Sequence, residues 1–333
     1  MNFIDRSDYQ GEIHILVVDN NSSDNTADRA RESGIDKKVT VLHEPRQGKH
    51  QALNTALEHV QTSLMCTIDA DTILHPQALS RLVARYQRAP GDTVAIAGSI
   101  LVRNSRINFL TRMQEWDYYL GIAAVKRMQG LFQSTLVAQG AFSLYRTDHI
   151  RAAGGWNDAI GEDIVLTWLL MSDGSRVYYE PTAVAFTEVP TTLRHFMRQR
   201  ARWSRGMFEG ISALPPWRQK RAISKFTAGL DLLIPLLDIG YVFLWLPGFL
   251  LFLVLQDPLL VSAWTLLVFP GTVLVYGGLR RFQVNHTFKP LGLRVRRNRL
   301  GYVVFLIGYQ VFSSTAAIAG YVQYLLKLDR KWK

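Results

Sequence analysis

The hydrophobic positions of this chain change their spacing near Lys225, and the change divides the chain into two parts. Before that point, short apolar runs bounded by polar turns alternate with amphipathic segments. This pattern predicts strands followed by helices and therefore a mostly parallel α/β sheet. We predict two domains, a globular one over 1–215 and a membrane region over 216–333. Three apolar stretches of the second part are long enough to cross a bilayer, at about 228–255, 259–278 and 300–326.

The first part contains five apolar runs of strand length, bounded by glycine, proline or polar turns. They cover residues 11–18, 39–43, 64–68, 94–102 and 139–146. Helical periodicity predicts helices at about 26–33, 49–60, from 76 onward, 107–132, 161–171 and 191–208. The segment 107–132 carries several aromatic side chains, so it is either a core-packing helix or a helix at the membrane interface.

Two carboxylates, Asp69 and Asp71, directly follow the apolar run 64–68. Burying that strand is favourable, whereas burying an unpaired carboxylate is costly, so both are expected just beyond its carboxyl end. Open α/β sheets bind ligands at that end, and two oxygen ligands there suit Mg²⁺ or Mn²⁺ shared with substrate phosphates. A solvated turn is the alternative for the tripeptide by itself, because Asp is a common turn residue.

The second part of the chain contains a strongly basic segment. The formal net charge is +11, and residues 280–299 hold seven of the Lys and Arg side chains without one Asp or Glu. Because this basic segment lies between apolar stretches, it favours an anionic membrane surface over nucleic acid as its partner. The basic loops 217–225 and 280–299 are expected to be cytoplasmic. The side of the C-terminus, which is also basic, stays open.

The chain has one cysteine, so an internal disulfide is excluded. Cys66 lies within the apolar run 64–68, and no neighbouring base is evident in the sequence. We therefore interpret it as a core residue and not as a nucleophile.

Charged side chains also gather in the two last predicted helices of the first part. Glu162 and Asp163 begin the helix 161–171, where carboxylates are favoured by the helix dipole and capping is the simplest interpretation. The helix 191–208 is dense in arginine and contains Trp203. Three interpretations are open for such a face: it is solvated, it binds nucleic acid, or it binds a diphosphate while the Trp203 ring stacks on a sugar. The four arginines are Arg194, Arg198, Arg200 and Arg202.

Four short motifs follow one another along the first part. They are Val17-Val18-Asp19, Asp69-Ala70-Asp71, Gly161-Glu162-Asp163 and Gln199-Arg200-Ala201-Arg202-Trp203. In order and spacing they resemble the membrane-bound processive β-glycosyltransferases of family 2, which include cellulose, chitin and hyaluronan synthases. Within that family, the chain is most similar to poly-N-acetylglucosamine synthases. The resemblance covers about residues 11–210 and implies a GT-A type nucleotide-sugar-binding domain, followed by transmembrane and interfacial helices.

The resemblance implies roles for the matching positions. Asp163 would be the general base, Asp19 would contact the uracil or ribose, and Lys49 would help to hold the nucleotide. Asp69 and Asp71 would bind the ribose and the diphosphate bridged by Mg²⁺ or Mn²⁺. These residue types suit inverting transfer, which needs a base, cationic help for the leaving diphosphate and a platform for the acceptor sugar. The other expected substrate-binding residues are Glu162, Gln199, Arg200, Arg202 and Trp203.

The implied function is inverting transfer from a UDP-sugar, expected to be UDP-N-acetylglucosamine, to a growing β-linked polysaccharide. The implied location is a bacterial inner membrane, which the chain crosses several times with its catalytic domain in the cytoplasm. An accessory membrane subunit is a possible partner, and nucleic acid is not expected. Transfer of a single sugar to a lipid acceptor is the alternative within enzymes.

Two departures from the family pattern matter. The chain starts within the family's first helix, without the strand expected before it, and this departure supports a truncated, inactive membrane subunit as a further alternative. Gly161 stands where the family has Thr, and we expect it to loosen the turn that carries Asp163.

Overall fold

The structure, a computed structural model, describes residues 2–32, 38–256, 261 and 263–328. An α/β domain is followed by a helical region. The strands are β1 (His14–Asp19), β2 (Lys38–His43), β3 (Leu64–Ile68), β4 (Ile73–Leu74), β5 (Thr93–Val102), β6 (Phe142–Arg146) and β7 (Arg176–Thr187). The α-helices are α1 (Asn2–Asp5), α2 (Thr26–Arg31), α3 (Lys49–His59), α4 (Ala78–Gln87), α5 (Phe109–Trp116), α6 (Ala123–Leu131), α7 (Thr147–Ala152), α8 (Glu162–Ser172), α9 (Leu193–Ala213), α10 (Ala222–Leu230), α11 (Ile234–Gly240), α12 (Leu246–Leu255), α13 (Val268–Gln283) and α14 (Arg299–Leu325).

The strands form two sheets. β1 pairs in parallel with β2, and the other five strands follow the order β3-β6-β5-β7-β4. In this larger sheet β5 and β7 are parallel, whereas β6 is antiparallel to both its neighbours and β4 is antiparallel to β7. The α/β class is confirmed, and the expected mostly parallel sheet is corrected to a mixed one. A strand that is buried on both faces has an apolar sequence in a parallel and in an antiparallel sheet alike. The sequence pattern therefore does not show the direction of the strand.

The direction of β6 determines which loops meet. Because β6 runs antiparallel to β3, its first residue, Phe142, pairs with the last residue of β3, Ile68. The backbone N–H of Asp69 then donates to the carbonyl of Ala141 at 3.3 Å. The loop before β6 therefore lies directly against the Asp69–Asp71 segment.

The core of the domain lies on both faces of β5. On one face, Val94, Ala95 and Ala97 pack in a cluster with Trp168 of α8; on the other, Ile96 packs with Leu82 of α4. Fully burying a side chain of the size of Val94, Ile96 or Leu82 contributes about 1.5–3 kcal/mol. The two layers of helices hold the sheet between them, and α8 is thereby fixed relative to the ends of β3 and β6.

The predicted helix over 107–132 is α5 and α6 joined by a π-helical turn, Asp117–Ile122. One side of this segment is buried in the domain. The other side exposes apolar residues, so core packing holds for one side of the segment and the interface alternative stays a prediction for the other. Its buried residues include Met113, Tyr118, Tyr119 and Leu120, and its exposed ones include Phe109, Val125, Met128 and Leu131.

Two helical segments are long and apolar enough to cross a membrane, judged by length and composition alone: Ala222–Leu255 and Arg299–Leu325. They coincide with the first and third predicted spans. The first is composed of α10, α11 and α12 with a 3₁₀ turn and a π turn between them. The second predicted span overlaps α13 in part, and its residues 259, 260 and 262 lie outside the described residues.

Helix α14 packs against α9, the last helix before the helical region. The hydroxyl of Ser204 donates to the carbonyl of Ala317 at 3.0 Å, and Arg205 donates to the carbonyl of Leu328 at 2.7 Å. A side chain at Gly320 would overlap Ser204 and the carbonyl of Ala201, so glycine permits the two helices to approach. The α/β domain therefore packs on an apolar helix through α9.

Candidate functional site

Lys49 lies at the centre of the polar groups that the strand ends bring together. It is the first residue of α3 and follows Gly48, whose φ of +139° is readily available only to glycine. Its Nζ is 2.8 Å from Oδ1 of Asp69 and 3.3 Å from Oε1 of Glu162. Burial lowers the pKa of Lys49, but the charges of Asp69, Glu162 and Asp163 outweigh it and the net shift is upward. One permanent cation therefore joins the end of β3 to the start of α8.

Glu162 and Asp163 are the first residues of α8, as predicted, and their environments differ. Glu162 is 4% exposed, and burial together with the neighbouring charge of Asp163 raises its pKa, although Lys49 opposes the shift. Asp163 is half-buried, and its Oδ2 accepts a hydrogen bond of 3.2 Å from the N–H of Gly140 in the loop before β6. Asp163 is thus the one of the pair that a hydroxyl can approach from solvent. Sequence patterns did not single out Gly140, because its role depends on the direction of β6.

The turn before α8 is held by α9. A Cβ at Gly161 would lie 2.6 Å from the Cα of Gly206, so the two backbones are in direct contact. Glu209 on α9 accepts hydrogen bonds from the N–H groups of Ile160, at 2.6 Å, and Gly161, at 3.3 Å. The Glu209 carboxylate thereby caps the start of α8, because the N-cap residue Gly161 has no side chain that could accept a hydrogen bond. The expectation that Gly161 loosens this turn is corrected, because glycine is what allows the contact.

We expect Gly161→Ala to destabilise the fold by about 2 kcal/mol, since the added methyl group meets backbone atoms and not a movable side chain. Gly91→Ala is the matched control, because nothing lies within 4 Å of a Cβ at Gly91. Thermal unfolding of both variants in the same detergent measures the difference. Equal unfolding midpoints for the two variants would contradict the packing of α8 on α9.

Asp71 is the exposed carboxylate of the Asp69–Asp71 segment. Its Oδ1 accepts long hydrogen bonds of 3.3 Å from the hydroxyls of Thr72 and Thr187, whereas Asp69 is engaged by Lys49. No group of three or more His, Cys, Asp and Glu side chains in the described part of the chain forms a metal cage. Mg²⁺ is usually held by one or two carboxylates together with substrate phosphates. Asp71, with Asp69 beside it, therefore fits a divalent ion that arrives with a diphosphate.

Asp19 ends β1 and is buried. It accepts a hydrogen bond of 3.2 Å from the N–H of Ser22, and its Oδ2 is 3.2 Å from Nδ1 of His43. The hydrogen bonding from Ser22 lowers its pKa, with a smaller contribution from His43. The next residue, Asn20, accepts a hydrogen bond of 2.8 Å from the N–H of Gly48. The turn after β1 is thereby tied to the start of α3, and Asn20 is a link that sequence reasoning missed.

The predicted site residues of helix α9 differ in their exposure to solvent. Trp203 is 36% exposed, whereas Arg200 is 6% exposed and donates to Oδ2 of Asp117 at 2.7 Å. The Arg200 guanidinium lies 4.2 Å from the Trp203 ring centroid. The structure thus places Arg200 in an internal ion pair that holds Trp203, and does not bring it to an open surface. Gln199 has a buried Oε1 without a hydrogen-bond partner among the described residues, and Arg202 is half-buried.

Tyr118, in the π-helical turn, is a residue whose position in the site the sequence did not predict. Its ring centroid is 6.2 Å from that of Trp203. Burial raises its pKa to about 12, and the charges of Asp71 and Arg202 also act on its hydroxyl. Tyr118 therefore lies beside Trp203 and Arg200 of α9, within electrostatic range of Asp71. A tyrosine in an amphipathic helix is indistinguishable from core packing by pattern alone, which is why the sequence left it unassigned.

The sequence profile of the family described as Glycosyltransferase like family 2 matches residues 2–206. That range includes more than half of the chain and all four motifs. The chain belongs to this family.

The family 2 chain is 32% identical over 199 residues to poly-beta-1,6-N-acetyl-D-glucosamine synthase of Staphylococcus aureus (strain COL), and 30% identical over 201 residues to that of Staphylococcus epidermidis. These alignments cover 59% and 60% of this chain but 47% and 48% of the relatives, so the chain spans about half of their length. The predicted membership of family 2 and the predicted similarity to poly-N-acetylglucosamine synthases are confirmed.

Solved structures support the GT-A type fold of this family 2 chain. Mannosyltransferase PcManGT from Pyrobaculum calidifontis, solved with GDP-Man and Mn²⁺, aligns with a TM-score of 0.61 over 98% of this chain and 82% of its own, at 18% identity. S. aureus TarS, solved with UDP-GlcNAc, aligns with a TM-score of 0.51 over 100% of this chain and 88% of its own, at 13% identity. At these identities the likeness establishes the fold alone.

Proposed function

We propose that this chain transfers a sugar, with inversion, from UDP-N-acetylglucosamine to a growing β-linked polysaccharide at a membrane. The observation that carries the proposal is the position of Lys49. Its ammonium holds Asp69, at the strand end where family 2 enzymes bind the donor, and Glu162, next to Asp163. The donor end and the base end of one cleft are thus joined by a single cation.

The reaction divides into parts that this chain's residues can perform. Asp163 takes the proton of the acceptor hydroxyl as the hydroxyl oxygen attacks C1 of the donor sugar, and the bond from C1 to the diphosphate breaks. Lys49 and Arg202 offset the negative charge that grows on the departing diphosphate. Trp203, held by Arg200 and Tyr118, offers a ring face to the acceptor sugar.

A divalent ion completes the donor side of this proposal. Asp71 and Asp69 would hold Mg²⁺ or Mn²⁺, which neutralises phosphate charge when it is bound. The Mn²⁺ with which PcManGT was solved supports a divalent ion in general and does not distinguish the two metals.

The choice of donor, acceptor and location rests on the relatives and on the apolar helices. The names of the two staphylococcal synthases support a β-linked N-acetylglucosamine polymer, and the UDP-GlcNAc bound to TarS supports the donor. We place the catalytic domain, residues 1–215, on the cytoplasmic side of a bacterial inner membrane, with 216–333 as the membrane region. The exposed apolar faces of α12 and α14 support the membrane region, and the basic loops 217–225 and 280–299 support the cytoplasmic side.

Release of UDP by the purified chain in nanodiscs tests the proposal. The chain is given a panel of UDP-sugars with Mg²⁺ or Mn²⁺, and Asp163→Asn serves as the blank. We expect release with UDP-N-acetylglucosamine and none in the blank. Sizing the product then separates polymer extension from addition of one sugar to a lipid. Absence of release with every donor would contradict transferase activity and favour an inactive membrane subunit.

A further inference from the structure

A cavity of about 370 Å³ lies where the catalytic domain meets the helical region. Its walls come from the end of β5, from the π-helical turn after α5, and from the segment 293–298 that leads into α14. Much of the wall is apolar, with Leu101, Trp116, Phe288 and Leu293 among its residues. None of the residues proposed for sugar transfer lines the cavity, which adjoins the segment of Asp71 through Ile73 and Phe186.

Arginine dominates the charge of this cavity. Arg280, Arg294 and Arg296 line it, and within the described residues none of the three has a carboxylate within 4.0 Å. The carboxylate among the lining residues, Glu115, already accepts hydrogen bonds from Arg106, Ser105 and Asn298. The cavity therefore has a positive charge that the neighbouring protein groups do not balance.

A buried hydroxyl in the wall is also without a partner. Tyr119 is 8% exposed and lines the cavity, and its hydroxyl makes no hydrogen bond to any described residue. Leaving a buried hydroxyl unpaired is unfavourable, because the group has lost its hydrogen bonds to water without replacing them. An acceptor atom of a bound ligand would satisfy this hydroxyl, and an oxyanion beside Arg280 is such an acceptor.

The position of the cavity indicates what kind of anion it receives. Arg280 is in the last turn of α13, and Arg296 precedes α14 by three residues. Both helices present apolar side chains outward, for example Leu274 and Ile307, which are 77% and 67% exposed. Basic residues at the ends of apolar helices lie at the depth of lipid headgroups. A ligand with both an anionic and an apolar part matches the walls and the charge together.

We propose that this cavity binds the phosphate headgroup of an anionic phospholipid. The phosphate oxygens lie against Arg280, Arg294, Arg296 and the Tyr119 hydroxyl, and the start of an acyl chain contacts the apolar wall. This proposal rests on the membrane association proposed above and is independent of sugar transfer. Lipid occupancy there would hold segment 293–298, and with it the start of α14, against the catalytic domain.

Lipid titration followed by native mass spectrometry tests the site on the whole chain. Phosphatidylglycerol is added to protein in neutral detergent, and phosphatidylcholine is the reference lipid. One arginine near a headgroup contributes about 1 kcal/mol, so Arg280→Gln is expected to weaken phosphatidylglycerol binding about fivefold. The triple change of Arg280, Arg294 and Arg296 to Gln should weaken it about a hundredfold. Arg297→Gln is the matched control, because Arg297 lies on the same segment without lining the cavity.

Tyr119→Phe gives a second variant that leaves the charge unchanged. Because the hydroxyl has no partner among the described residues of the free protein, its removal should not lower the unfolding midpoint without lipid, yet it should reduce the stabilisation that phosphatidylglycerol gives. Glycerol 3-phosphate is the comparison ligand, because it has the phosphate of the lipid without an acyl chain. Stabilisation by glycerol 3-phosphate equal to that by phosphatidylglycerol would overturn the lipid assignment.

If Arg280→Gln and Arg297→Gln weakened phosphatidylglycerol binding equally, the proposed site would be overturned, because the lipid would then respond to the surface charge of the protein in general. A chain that fails to enter nanodiscs at all would overturn both membrane association and this proposal. UDP release is measured on the same preparations. Selective lipid binding without UDP release would leave this site standing while contradicting the proposed function, so the two failures are distinguishable.

Discussion

Asp163→Asn is expected to lower turnover by about a hundredfold to ten-thousandfold, which is the usual contribution of a general base. The amide cannot accept the proton of the acceptor hydroxyl. In Asp163 one carboxylate oxygen accepts from the N–H of Gly140 and the other from the N–H of Ile164, and the amide keeps one oxygen and so one of these two hydrogen bonds. The turn and α8 should therefore stay in place, and the affinity for UDP should remain that of the unchanged chain.

Turnover and nucleotide affinity must be measured separately for this prediction. Single-turnover UDP release gives the chemical step, and calorimetric titration with UDP gives the affinity. Asp173→Asn is the matched control, because Asp173 is an exposed carboxylate at the opposite end of the same helix. Turnover of Asp163→Asn within about tenfold of the unchanged chain would exclude Asp163 as the base.

The local pattern of the sequence was sufficient to predict where chemistry-bearing residues fall along the elements. Asp19, Asp69 and Asp163 lie at a strand end, after a strand end and at a helix start, as the apolar runs indicated. These positions depend on the few residues beside them: an apolar run ends, and the polar residue after it cannot be buried without a partner. The bounds of β3 are those predicted, for the same reason.

The contacts between those positions depend on distant parts of the chain, and the local pattern could not predict them. Gly140 meets Asp163 because β6 inserts in the reverse direction between β3 and β5. Arg200 looked like its neighbours in a cationic helix, but the helix turns it towards Asp117, 83 positions earlier in the chain. A single pattern of charges along one helix cannot report which partner the fold brings to it. The same limit hid the position of Tyr118 and the fact that Arg280, Arg294 and Arg296 of the predicted basic segment line one cavity.

The buried pair of Arg200 and Asp117 has a physical consequence for the acceptor side. Two ions that are each 6% exposed on their side chains are costly to desolvate, and the cost is offset only when the pair is well placed. The rings of Phe196 and Trp203 lie 4.9 and 4.2 Å from the guanidinium. Because Asp117 is in the π-helical turn and Arg200 is in α9, the pair fixes the angle of Trp203 relative to Tyr118.

Asp71→Ala is expected to lower turnover by at least about a hundredfold, since a bound metal contributes several kcal/mol of charge stabilisation. The change should also weaken UDP binding when Mg²⁺ or Mn²⁺ is present, and should not weaken it in EDTA. The structural reason is that Asp71 is exposed and, within the described residues, accepts two long hydrogen bonds from threonine hydroxyls and no shorter one. The carboxylate oxygens of Asp71 are thus available to a cation, and the fold loses little stability when they are removed.

The dependence of UDP affinity on metal is the decisive readout, because it does not require turnover. Asp28→Ala is the matched control: Asp28 is an exposed carboxylate on α2 whose ion pair is with Arg31, within its own helix. The control should bind UDP more tightly with metal than in EDTA, whereas Asp71→Ala should bind equally in both. A metal effect of full size in Asp71→Ala would place the ion elsewhere, and Asp69, released from Lys49, would be the next carboxylate to test.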